Sequence, residues 1–196
     1  MQNTSVSYEQ LWQQVLQDDI QGLEQIYKNY YPALFAYARK LVEDHTLAED
    51  AIQDTFIYVW NHRRSIGEIH SMQFYLTRAV RNTCLALIKK QSKFQALEEA
   101  EAKLKINIQT SELDLMTEDS GTKEKLKTAL DELSNRQREI IFLKFFNNLD
   151  YQEISQVLNI NYQSVVNHVH KAIQKLRQKD ALRVLRILIT CLFLSS

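Results

Sequence analysis

The sequence predicts an all-α protein made of two small helical domains joined by an acidic linker. Three observations carry that expectation. Turn-formers are scarce, with 3 Gly and 1 Pro in 196 residues, too few for the tight turns of a β-sandwich or barrel. Apolar residues recur at i, i+3, i+4 and i+7, the stripe of a core-facing helix. An acidic stretch poor in aromatics separates two clusters of such stripes. Hydrophobic residues at 45% and charged residues at 24% give the balance of a globular chain.

The first stripe follows Asp18 and Asp19, either of which can cap its start, and holds Leu23, Ile26, Tyr27, Tyr30, Leu34, Tyr37, Ala38 and Leu41. Pro32 removes a backbone donor and crowds the preceding turn, so a break or kink is expected near Tyr31–Pro32. A second helix opens at Thr46-Leu47-Ala48-Glu49, a capping-box pattern. It turns Ala48, Ala51, Ile52, Thr55, Phe56, Val59 and Trp60 to one side and Glu49, Asp50, Gln53 and Asp54 to the other. A polar connection from His62 to Ser71 leads to a third helix, about Met72 to Ser92, whose apolar side carries Phe74, Leu76, Ala79, Val80, Thr83, Cys84, Leu87 and Ile88. These helices make a first domain over residues 8–92, and residues 93–122 read as the linker.

The second domain covers residues 123–178. Leu126, Ala129, Leu130 and Leu133 form its first stripe, and Ser134 caps a helix with Ile140, Ile141, Leu143 and Phe145. Helices over Tyr151–Leu158 and about Gln163–Gln178 follow. An apolar extension, residues 179–196, ends in a run from Ile187 to Leu194, far short of the ~20 residues that span a bilayer.

Function classes narrow next. Cys84 and Cys191 sit far apart in apolar patterns with no disulfide or metal-ligand spacing, which fits a reducing compartment. The N-terminus lacks the basic start and apolar core of a signal peptide, so a cytoplasmic protein is expected. His168 and His170 diverge on a helix at i and i+2, and no metalloprotease, phosphate-loop or nucleophile motif occurs. The expectation is a chain with no enzyme activity, metal, cofactor or small-molecule substrate.

Formal net charge is zero, but the charges are segregated. Residues 1–68 carry ten acids and five bases. Residues 69–97 carry Arg78, Arg81, Lys89, Lys90 and Lys93 and no acid. Residues 98–119 hold seven acids against Lys103 and Lys105, and residues 154–179 hold Lys171, Lys175, Arg177 and Lys179 without an acid. Each half thus has one acid-free basic segment able to lie on phosphate without self-repulsion.

In the second half, Tyr151 to His170 has the spacing of a helix-turn-helix. Ser155 is small enough for the helix crossing, Asn159 tolerates the left-handed turn, and Ile160 plugs the corner. Val165, Val169, Ala172, Ile173 and Leu176 point the second helix inward. Gln163 opens that helix, and Ser164, Asn167, His168, Lys171 and Lys175 face outward. Short polar groups near the N-terminus suit base edges in a major groove, and the later cations suit phosphate.

The run Leu133-Ser-Asn-Arg-Gln-Arg-Glu-Ile-Ile-Phe-Leu-Lys-Phe-Phe-Asn-Asn-Leu-Asp-Tyr-Gln-Glu-Ile-Ser-Gln-Val-Leu158 resembles region 4 of extracytoplasmic-function sigma factors, and Ala172-Ile-Gln-Lys-Leu-Arg177 resembles its usual end. Ala48-Glu-Asp-Ala-Ile-Gln-Asp-Thr-Phe56 with Val59-Trp60 resembles region 2, and Phe74 with Ala79-Val-Arg-Asn82 resembles the start of its promoter-binding helix. The resemblance covers roughly residues 20–92 and 123–178 in the family's order. It implies a sigma factor that lends core RNA polymerase its promoter specificity in transcription initiation, with an anti-sigma factor as a further partner. It assigns Asp50, Gln53 and Asp54 to core polymerase. It also implies that the His62–Ser71 connection captures a flipped base of the −10 element, with Arg78, Arg81, Asn82, Lys89 and Lys90 alongside. Gln163, Ser164, Asn167, His168, Lys171 and Lys175 fall to the −35 element. Ala86 and Lys89 depart from the family pattern, where an acidic or amide residue and Arg are common, and Asn159 and Asn161 replace the commoner Gly and Ser of the turn.

Two other readings compete. A response-regulator-type helix-turn-helix protein with a sensor half leaves the 48–60 block unexplained. A helical adaptor that binds only protein leaves both acid-free basic segments unexplained.

Overall fold

The computed structural model describes residues 7–42, 44–92, 106 and 120–178, which form eight helices and no strand. They fall into two units, Met1–Lys103 and Leu104–Ser196. The expected C-terminal extension, and all of the expected linker before Ser120 except Ile106, lie outside the described residues. Ile106 itself is buried.

In the first unit, α1 (Tyr8–Leu16) starts at a capping box in which the Ser7 side chain accepts from the Gln10 N–H and the Gln10 side chain accepts from the Ser7 N–H. It buries Leu11, Trp12 and Val15. α2 (Ile20–Leu41) begins where Asp19 accepts from the Gln21 N–H at 2.9 Å, so Asp19 is the cap. α2 is continuous through Pro32, against the expected break. Its buried face lies on both sides of the proline, with Leu23 and Ile26 before it and Leu34, Tyr37, Ala38 and Leu41 after it. Tyr27, Tyr31 and Phe35 also pack ring against ring across it. That packing offsets the ~3 kcal/mol that an interior proline costs.

α3 (His45–Ile66) is capped by Asp44, which accepts from the Leu47 N–H at 3.0 Å. The cap therefore lies two positions before the expected Thr46, and it is a single acceptor in place of the expected capping box. α3 buries Ala48, Ala51, Ile52, Thr55, Phe56 and Val59, and Tyr27 of α2 meets Phe56 edge-on at 5.0 Å. α3 ends at Gly67, whose φ of 78° and ψ of −156° belong to a region that only glycine occupies without strain. α4 (Met72–Ser92) then packs on α2 and α3.

In the second unit, α5 (Ser120–Asp131) starts earlier than the sequence stripe indicated. α6 (Asn135–Phe145) has the Ser134 cap as a full capping box with Gln137. α7 (Tyr151–Leu158) ends at Asn159 with φ 50° and ψ 45°, the left-handed turn the sequence called for. The Ile160 N–H donates to the Ser155 carbonyl at 3.0 Å and closes that turn. α8 (Tyr162–Gln178) follows and packs on α5, α6 and α7. Val165, Val169, Ala172 and Leu176 are its buried stripe.

Candidate nucleic-acid interface

Three polar surfaces emerge, two on the first unit and one on the second. The first is the outer side of α3, where Asp50, Gln53 and Asp54 are all exposed. Their opposite side is filled by Ala51, Ile52 and Thr55. Glu49 is half-buried and pairs with His45 at 3.4 Å. Ile57, 58% exposed one turn further on, extends this face with an apolar group.

The second lies between α3 and α4. The buried stripe of α4 runs Met72, Leu76, Thr77, Val80, Arg81, Cys84 and Leu85, rotated from the one the sequence suggested. Arg81, at 2% exposure, faces the core beside Cys84 and is withdrawn from the set expected to meet DNA. A guanidinium enclosed by its own domain cannot reach an external phosphate. Burial also pushes the Cys84 thiol up to about 12, against a partial lowering by the nearby Arg81 charge. Arg78, Asn82, Lys89 and Lys90 are exposed.

The same rotation turns Ala79, Thr83 and Ala86 outward, and they floor a groove of about 490 Å³ with Thr55. Tyr58, Phe74 and Tyr75 wall it, and Arg78 and Asn82 stand at its rim. The Thr55 and Thr83 hydroxyls meet at 3.1 Å and tie the two helices together under the groove. Tyr58, exposed, stacks on His62 at 4.0 Å between centroids. The Tyr75 hydroxyl is pushed above its ordinary value, first by burial and then by the nearby Tyr58. The sequence assigned Phe74 mainly to the core; it is half-buried and lines this groove.

The third is the outer face of α8. The Asn161 carboxamide accepts from the Ser164 N–H at 2.7 Å and fixes the first turn. Gln163 donates to the Asn167 side chain at 3.2 Å, so two exposed amides stand as a pair one turn apart. Asn167 and Lys171 are exposed, whereas Ser164 and His168 are half-buried. His168 takes a proton less readily than an ordinary imidazole, mainly because it is desolvated and then because Arg136 and Lys171 lie near. The Lys175 ammonium donates to the Glu132 carbonyl at 3.0 Å, just past the end of α5, so it also ties α8 to α5.

Residues 26–94 match the Sigma-70 region 2 family, and residues 123–176 match the Sigma-70, region 4 family. Together these segments cover well over half of the chain, in that order. The chain belongs to the sigma-70 family. It is a sigma factor of the extracytoplasmic-function type, acting in promoter recognition and transcription initiation. It is similar to the ECF RNA polymerase sigma factor SigM of Bacillus subtilis, 24% identical over 156 residues that make up 79% of this chain and 93% of that one. It is also similar to the RNA polymerase sigma factor YlaC of the same organism, 22% identical over 80% of this chain and 91% of that one. Among solved structures, the sigma factor RpoE in complex with the anti-sigma factor NepR from Bartonella quintana shares the fold. Its TM-score is 0.56 at 24% identity, over 80% of this chain and 94% of that one.

In this sigma factor the region 2 segment holds the first two surfaces and the region 4 segment holds the third. No helix among the described residues is long and apolar enough to cross a membrane. Sequence reasoning missed Tyr58, Ala79, Thr83 and Ala86 as groove residues. The available signal was the spacing of small residues at 79, 83 and 86 along α4, which resembles a packing stripe until the neighbouring helix is placed.

Proposed function

We propose that the region 2 unit of this sigma factor docks on core RNA polymerase through Asp50, Gln53 and Asp54 and holds the −10 element in the α3–α4 groove. The groove carries this reading, because aromatic walls over a floor of small residues, with a cation and an amide at the rim, accept an unstacked base and its backbone. Arg78, Asn82, Lys89 and Lys90 supply the polar and cationic track. The connection before α4, expected over His62–Ser71 but reduced to Gly67–Ser71 because α3 runs on to Ile66, captures a flipped base. The Gln163–Asn167 pair on α8 reads base edges of the −35 element, since a carboxamide can meet adenine bidentately in the major groove. Lys171 neutralises phosphate, and Lys175 adds charge where α8 leaves the groove. His168 and Ser164, half-buried, set the depth of the helix.

The chain works as a non-catalytic subunit in the cytoplasm. An anti-sigma factor is a fitting partner: it covers the exposed α3 face and keeps it from polymerase. Docking is tested by Asp50→Ala with Gln53→Ala in pull-downs against core RNA polymerase. The pair is expected to weaken core binding with unfolding midpoints unchanged, because both side chains face solvent. Stability falling by several kcal/mol, with core affinity unchanged, would make these residues structural.

A further inference from the structure

We propose that α1 is a clamp on the α3–α4 connection, with Tyr8 and Trp12 as positioning residues for base capture; this rests on the reading of that connection given above. α1 lies outside the segment matched to region 2, yet it holds the connection at both ends. The Tyr8 hydroxyl donates to the His70 carbonyl at 2.7 Å. The Trp12 indole N–H, on a side chain only 4% exposed, points to the Gly67 carbonyl at 3.4 Å. These are backbone acceptors of the loop itself, so they fix its path whatever its side chains are.

Two further features show that α1 is set firmly enough to act this way. Gly22 lets α1 approach α2 so closely that a Cβ there would sit 2.7 Å from the Leu11 carbonyl and 2.8 Å from the Gln14 Cβ. Asp18, in the turn after α1 with φ 66°, binds Arg63 through Nε at 2.8 Å and also pairs with Arg64. Its carboxyl is held below its ordinary range, first by the Arg63 hydrogen bond. Arg63 in turn lies over Trp60 at 4.2 Å. The end of α3, the start of the loop and its far end are therefore all tied to one short helix and the turn that follows it. A loop held at both ends is ordered before DNA arrives, which lowers the entropy lost when a base is captured. The benefit goes to the base whose fit depends on loop position.

The test uses the full chain reconstituted with core RNA polymerase and forked probes in which each single-stranded −10 base is varied. Tyr8→Phe with Trp12→Phe keeps an aromatic ring at each position and removes both donors. The expected result is a loss of about fivefold in preference for the favoured captured base, the scale of a lost hydrogen bond, with preference for the upstream duplex element intact. General damage to the fold lowers affinity for all probes alike and leaves the ratio between bases unmoved. An unmoved ratio therefore overturns the proposal. Alanine at Glu68 and His70, measured in parallel, separates the two layers. If those loop variants shift the ratio and the α1 double variant does not, the clamp falls and base capture by the loop stands. If neither shifts it, the loop reading falls and takes the clamp with it.

Discussion

Arg78 and Arg81 lie within one turn of α4, yet Arg78 stands at the rim of the groove and Arg81 is enclosed. Their replacement separates two kinds of loss. Arg81→Ala removes a buried cation and leaves a cavity, so it should cost about 3 kcal/mol in urea unfolding, with the salt dependence of promoter binding by the holoenzyme unchanged. Arg78→Ala should leave stability intact and flatten that salt dependence by about one phosphate contact. His168 gives a pH signature. Its folded-state affinity for protons is lowered from the ordinary value of 6.5, so just below that value the unfolded chain binds more protons than the folded one. Its contribution is thus fully present above the ordinary imidazole range and declines as pH falls through it. Urea midpoints across that range should drift downward with acid in the parent chain and drift less in His168→Gln. An identical drift in both would assign the effect elsewhere.

At the scale of elements, α2 shows how tertiary packing overrules a local rule. A proline at 32 signals an interruption when only the backbone is considered, but the apolar positions before and after it lie on one continuous buried face. Pro32 itself is exposed. Pro32→Ala restores a donor for the preceding turn and should raise the stability of the chain by about 1–2 kcal/mol, read as a higher urea midpoint. A fall would mean that the proline sets a bend on which the core depends. Caps were legible at Ser134 and Asn159, where the sequence offers one suitable residue beside a clear stripe, whereas at α2 Asp18 and Asp19 both suited the role. At α3, Asp44 and Thr46 both suit the role and only the backbone decides between them. α1 escaped sequence reading because its stripe is short, although Ser7 and Gln10 mark its start. The α8 face was legible because helical spacing alone sorts Val165 and Val169 from Asn167 and Lys171. The α3–α4 groove was not, because it exists only once two helices are placed side by side.

For the molecule as a whole, two units with separate cores divide the reading of a promoter between them. The acid-free segments of the sequence fall one in each unit, largely on α4 and α8. The division of labour on α8 gives the sharpest test of promoter reading. Holoenzyme made with the parent chain, Asn167→Ala or Lys171→Ala is bound to a set of single-base promoter variants at several salt concentrations. Asn167→Ala should change which upstream bases are preferred, by about 1–3 kcal/mol at one position. Lys171→Ala should weaken every variant alike and reduce the salt slope by about one phosphate contact. Equal scaling of affinity across all variants by both substitutions would contradict the account, since α8 would then bind DNA without reading it.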